Sequence, residues 1–308
     1  YNPSPIKYMS KKNWLFILIS IPVLFLLWYF AIKDRDYAIH FETKAIPGEI
    51  AYRLDVPRFN DLEIKNTAIK ADFSKVIQDV KLGNEAYDLN WVISKKNDSV
   101  YKVKVNIKNQ DHSLKDRFLL LTGQNDFQKE MKEEIQFFKE ALSANLELYS
   151  IKIKGKTSSP ENICACIDAK SSVEQKAFEM MKTIDILSGY ILNNELETRG
   201  RPRILIDSWD QTTKQIGFNF CFPIAKMETY PAHPIIKIKN IPAEKTLEAS
   251  FYGNYMLSHY AWLHLIDYAE KNNIAVKNEH ILEVFQNNPQ MGGDESQWQA
   301  DIYLPIAE

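Results

Sequence analysis

The hydrophobic pattern opens with an uncharged run, Trp14–Ile32 (WLFILISIPVLFLLWYFAI). As one continuous helix at ~1.5 Å per residue it would span just under ~30 Å, the thickness of a bilayer core. Lys11 and Lys12 precede the run, Lys33 and Arg35 follow it, and Trp14, Trp28 and Tyr29 lie near its ends, where interfacial aromatics sit. Pro22 is tolerated inside a membrane helix. The pattern therefore predicts a tail at 1–12 and a transmembrane helix at 13–33. It is too long for a signal-peptide core and has no small-residue cleavage site after it. Lys7, Lys11 and Lys12 outweigh Lys33 and Arg35, which are interleaved with Asp34 and Asp36. That bias predicts a single-pass protein of a bacterial inner membrane with its bulk in the periplasm.

Beyond Tyr37 the period changes to two. Strands are expected at Tyr37–Lys44, Ala68–Asp72, Asp88–Ser94 and Tyr101–Ile107, with Lys95-Lys96-Asn97-Asp98 as the turn between the last two. Phe127, Met131, Ile135, Phe138, Leu142 and Leu146 then recur at helical spacing, a stripe that can cover a curved sheet. Asn125 or Asp126 is the expected cap. From 149 onward the chain repeats itself. Copy one (149–224) reads as strand ENICACIDA, a helix near 172–192, strand RILIDSW and strand IGFNFCFPI. Copy two (233–306) reads as strand KTLEASFYG, a helix near 255–270, strand HILEVFQ and strand WQADIYLPI. The class expected is α+β.

Composition narrows the function classes. The chain has 308 residues, 45% hydrophobic and 25% charged, with 38 Lys+Arg against 40 Asp+Glu. A net charge of −2 argues against bulk nucleic-acid binding. Three cysteines make a poor disulfide framework. Cys164 and Cys166 share one strand face and are expected to be buried thiols. His259 and His264 are five apart on a helix, the wrong spacing for two ligands on one face, and no metal or other cofactor is expected. No nucleophile elbow or phosphate loop is visible, so no catalytic residue is assigned. Asn97-Asp98-Ser99 is a glycosylation-type sequon, and Asp98-Ser99-Val100 resembles a short acceptor motif for O-glycosylation in Bacteroidota.

The order of elements over 37–148, a strand meander followed by a long helix, resembles a START-like (SRPBCC) helix-grip domain. It is a reduced one, since Pro47–Asn66 is short and Pro-punctuated where the family carries helices. The duplicated βαββ unit over 149–308 resembles the GyrI-like (SOUL-like), or AraC-type effector-binding, domain. The matching residues are Ala249-Ser250-Phe251-Tyr252-Gly253-Asn254-Tyr255 at a strand-to-helix entry, Glu283-Val284-Phe285 followed by Asn288-Pro289, and the closing Trp298-Gln299-Ala300-Asp301-Ile302-Tyr303-Leu304-Pro305. Asp301 stands where the family has Glu, and Phe285 where Tyr is common. An anchor with these two modules is similar to a type of protein found in Bacteroidota.

The resemblance implies a cleft between the two copies that holds a small cationic or aromatic ligand. Alternation puts Asp301 and Tyr303 on one strand face, and Glu283 with Phe285 on a face of the next. These four are expected to line the cleft, with Tyr252 and Trp262 as further members. A carboxylate beside aromatic rings receives a desolvated cation. Like-charge repulsion should then raise the pKa of either Asp301 or Glu283. Asp301 is expected to lack an internal cation, and Asn219 is its equivalent in copy one. The function expected is membrane-tethered small-ligand binding. An accessory subunit of a larger membrane protein complex is the alternative, and a small-molecule hydrolase a weaker one.

Overall fold

The structure, a computed structural model, describes residues 11–55, 59–124 and 127–307. Most of the expected tail, and both expected caps Asn125 and Asp126, lie outside those residues.

The expected membrane span resolves into two pieces. Helix α1 (Lys11–Leu27) carries Lys11, Lys12 and Asn13 in its first turn, and a π-helical turn, Trp28–Ile32, follows it. The apolar part of α1, from Trp14 on, is about 21 Å long at ~1.5 Å per residue. The π turn docks on the protein through Arg117, which is 3% exposed. Its Nη1 donates to the carbonyl oxygens of Tyr29 (2.8 Å) and Phe30 (3.2 Å), its Nη2 to that of Lys33 (2.6 Å), and its Nε to Asp36 (2.7 Å). No helix among the described residues is long and apolar enough to cross a membrane. This overturns the expected transmembrane helix and the single-pass inner-membrane localisation with periplasmic bulk, and leaves the expected membrane partner without support. Hydropathy alone does not separate the docked π turn from the helix that precedes it.

The N-terminal sheet comprises β1 (Tyr37–Thr43), β2 (Leu62–Ile69), β3 (Lys75–Leu82), β4 (Glu85–Lys95) and β5 (Tyr101–Asn109), antiparallel in the order β1-β5-β4-β3-β2. Val103, Val105 and Ile107 of β5 and Leu89 and Trp91 of β4 are fully buried, as period two demands. Helix α2 (Pro47–Leu54) lies between β1 and β2, α3 (Ser113–Leu121) follows β5, and α4 (Phe127–Leu146) covers the sheet. Met131, Ile135, Phe138 and Leu142 are the buried stripe of α4, and Phe138 packs edge-on against Trp91 at 5.3 Å between ring centroids. The Pro-punctuated segment does hold a helix: Pro47 stands at the first position of α2, where its missing N–H has no helical partner to lose.

The C-terminal half is one antiparallel sheet of eight strands in the order β10-β7-β9-β8-β12-β13-β11-β6. The strands are β6 (Tyr149–Ser158), β7 (Asn162–Ser172), β8 (Arg203–Trp209), β9 (Gln215–Pro223), β10 (Lys237–Ile241), β11 (Lys245–Gly253), β12 (Ile281–Phe285) and β13 (Gln299–Pro305). Helix α5 (Lys176–Asn193) belongs to the first β-α-β-β unit and α6 (His259–Lys271) to the second. The strand order reads as the same unit turned about an axis between β8 and β12, so the two copies meet where Glu283 pairs Ile204 and Ile281 pairs Ile206. The flanking strands β6 and β10 escaped the sequence reading. So did a disulfide: Cys166 of β7 faces Cys221 of β9 across the ladder and is bonded to it, while Cys164 remains a buried free thiol. Burial pushes the Cys164 thiol up to about 11.

Candidate functional site

Strand register decides which residues meet. Glu283 pairs Ile302, Val284 pairs Asp301 and Leu282 pairs Tyr303. Paired residues share a sheet face, so Asp301 and Tyr303 lie on the face opposite Glu283 and Phe285. Tyr252, paired with Gln299, falls on the Asp301 face, and Trp262 of α6 packs on the Glu283 face. The six expected site residues are thus split by the sheet, and the four that were to share one concavity do not.

On the helix-free face Asp301 is 8% exposed and fully engaged. Its Oδ1 accepts from Ser250 (2.6 Å), Lys154 (3.1 Å) and Gln299 (3.1 Å), and its Oδ2 from Gln286 (2.9 Å). Burial pushes its carboxyl up, but these donors outweigh burial and hold it below the usual range. The expectation that Asp301 lacks an internal cation is corrected by Lys154, which also binds Glu248 at 2.6 Å. Asn219, its copy-one equivalent, is bound likewise, accepting from Lys239 and donating to Asp207 at 2.5 Å each.

On the helix face Glu283 lies at the seam of the two copies with no exposed surface. Lys176, the first residue of α5, reaches its Oε1 at 3.0 Å, and Trp262 Nε1 donates to the same oxygen at 2.6 Å. The Ser258 hydroxyl accepts from Lys176 (2.5 Å) and lies 3.0 Å from Glu283 Oε2. Lys176 is itself fully buried, and desolvation lowers its ammonium pKa against the pull of Glu283. The carboxylate expected to receive a ligand cation is therefore neutralised from within.

This ion pair divides the space between the two copies. On one side α2 fills it. Trp262 meets Trp209 edge-on at 5.1 Å, and Trp209 Nε1 donates to the Tyr52 hydroxyl at 3.1 Å. Lys214 binds the Tyr52 carbonyl oxygen (3.0 Å), Asp55 (3.0 Å) and Glu174 (3.1 Å). Glu49 of α2 is buried and accepts from the Tyr149 hydroxyl and from His264 Nε2 (2.8 Å). His259, buried close by, has its pKa driven well below the usual value by desolvation and by Lys176 and Lys214.

On the other side the space is open, a cavity of about 440 Å³. Ala177, Met180, Met181, Ile184 and Ser188 of α5 form one wall. Phe220 and Phe222 of β9 with Phe285 of β12 form the floor, and Tyr255, Trp298 and Met291 close the far side. Arg201, Asn254, Asn287 and Asn288 stand among the lining polar groups. The chain reaches Tyr255 through Gly253 at φ +144, where a Cβ would meet Tyr149 Cβ at 2.9 Å. Only glycine fits that entry. Tyr255 is fixed by its hydroxyl donating to the Gln299 carbonyl oxygen at 2.8 Å, and burial pushes its pKa up to about 12. Of the expected residues only Phe285 lines this cavity. Arg201, the methionines and Trp298 were missed as site residues, although Met180, Met181 and Ile184 recur at helical spacing in the sequence.

No family model matches the sequence. No curated protein matches it. Among solved structures, the EcmrR–DNA complex is similar at 16% identity, covering 64% of this chain and 72% of that chain, with a TM-score of 0.44. The crystal structure of the EcmrR C-terminal domain is similar at 16% identity over 52% of this chain and 99% of that chain, also at 0.44. A conserved protein from Listeria innocua is similar at 10% identity over 57% of this chain and 98% of that chain, at 0.38.

Proposed function

We propose that the C-terminal half is a GyrI-like small-molecule-binding module whose ligand, an apolar and aromatic one, enters the cavity beneath α5. The observation that carries this reading is the cavity itself, about 440 Å³ with walls of aromatic rings and methionines. That volume and lining are typical of small-molecule sites. The three methionines supply a soft surface that adapts to a ring system. We place the N-terminal sheet and α4 as a START-like companion, on the order of its elements, with α2 lent to the seam of the duplicated domain.

The test is fluorescence titration of the full chain with N-phenyl-1-naphthylamine, a neutral aromatic probe that brightens in apolar surroundings. Saturable binding is expected, and Ala177→Trp, which builds an indole into the cavity wall, should weaken it at least tenfold. Equal binding by parent and variant, with both folded by circular dichroism, would refute the reading.

A further inference from the structure

The charge lining the cavity carries the reading further, since it indicates what kind of aromatic molecule fits. No carboxylate is among the lining residues, and the single charged side chain there is Arg201. The nearest buried acid, Glu283, is already closed by Lys176, Ser258 and Trp262 at 2.6–3.1 Å. An incoming cation would have to displace a fully buried ammonium to reach it, and displacement would leave that ammonium without its partner. Arg201 is exposed at the cavity mouth and, among the described residues, makes no ion pair. Its five N–H donors suit a planar anionic group. Glu295, which accepts from Asn254 Nδ2 at 2.8 Å, is exposed and outside the lining.

We infer that the ligand is an aromatic anion, its rings among Phe220, Phe285, Tyr255 and Trp298 and its carboxylate, sulfonate or similar group at Arg201. The inference rests on the proposed cavity reading. It makes Arg201 the selectivity residue and gives Lys176 a second role, that of holding Glu283 out of reach of cations.

Two naphthalenes of matched size separate the possibilities: naphthalene-2-sulfonate and 2-naphthyltrimethylammonium, each used to displace N-phenyl-1-naphthylamine from the full chain. The sulfonate is expected to displace the probe at a concentration at least tenfold lower than the ammonium compound. Because Arg201 is exposed, the ratio should shrink as salt rises. Arg201→Gln should bring the two concentrations within about twofold. A cation that competes as well as the anion, or a preference that survives Arg201→Gln, would overturn the inference and leave the cavity reading intact. Absence of neutral-probe binding to the parent chain would instead remove the cavity reading on which it rests.

Discussion

Replacing Lys176 by Met tests the closed ion pair directly. The substitution keeps the aliphatic stem and removes the ammonium that sits 3.0 Å from Glu283, both side chains being wholly buried. Glu283 must then remain ionised without its cation or take up a proton on folding. An ordinary glutamate titrates near ~4.3, so protonation at pH 7 costs about 3.7 kcal/mol at about 1.36 kcal/mol per pH unit. That route caps the loss, and the figure agrees with the roughly 3–5 kcal/mol found when one partner of a buried pair is removed. The sign follows. In the variant the folded-state pKa is raised above the unfolded one, so the loss vanishes below the unfolded value and grows as pH rises. Urea unfolding should give a deficit of about 3–4 kcal/mol at pH 7 that falls to about 1 kcal/mol at pH 5. Lys176→Met combined with Glu283→Gln, which retains an acceptor for Trp262, should recover at least half of the pH 7 deficit. A deficit below about 1 kcal/mol at pH 7, or one equal at both pH values, would refute the reasoning.

Asp301→Asn should leave N-phenyl-1-naphthylamine affinity within twofold of the parent, because Asp301 lies on the sheet face away from the cavity. It should lower stability by about 1–3 kcal/mol at pH 7 through its weakened bonds to Lys154 and its neighbours. Its folded pKa is depressed, so the difference between parent and variant should be full above pH ~4 and fade as pH falls through the folded value. Chemical denaturation from pH 2 to 7 measures this. Reducing the Cys166–Cys221 bond, whose cysteines lie 55 positions apart, should lower stability by about 2–4 kcal/mol, read as a shift of the urea midpoint with and without reductant.

The elements of the duplicated domain were legible because alternation and helical spacing are local. α5 and α6 fall close to the helices expected near 172–192 and 255–270, and both copies close on Pro-Ile. The site was not legible because it depends on register. Had Glu283 paired Asp301 instead of Ile302, the two carboxylates would have shared a face, and no single-strand pattern distinguishes these cases. Lys176 carried a readable signal, since it lies three residues after Val173 and four before Met180, yet a lysine in a first turn reads by default as solvated. The Cys166–Cys221 bond needed the β7–β9 ladder to be seen. The apolar run Trp14–Ile32 misled for a different reason: hydropathy registers composition, whereas the docked π turn depends on Arg117, about ninety residues away in the chain.

Glu283 and Lys176 come from different copies of the repeat. The position across the seam from Glu283 is Ile204. A duplication that kept an acid in both copies would have set two carboxylates about one strand spacing apart, roughly 5 Å, repelling by about 3 kcal/mol at an effective dielectric of 20. With Ile204 in that place the conflict does not arise, and one acid meets one base, each donated by the opposite half. Each half is therefore incomplete alone: severed from the other, each would turn its seam face to solvent with one unpaired charge, an ammonium on one and a carboxylate on the other, and the two would be driven to find each other again.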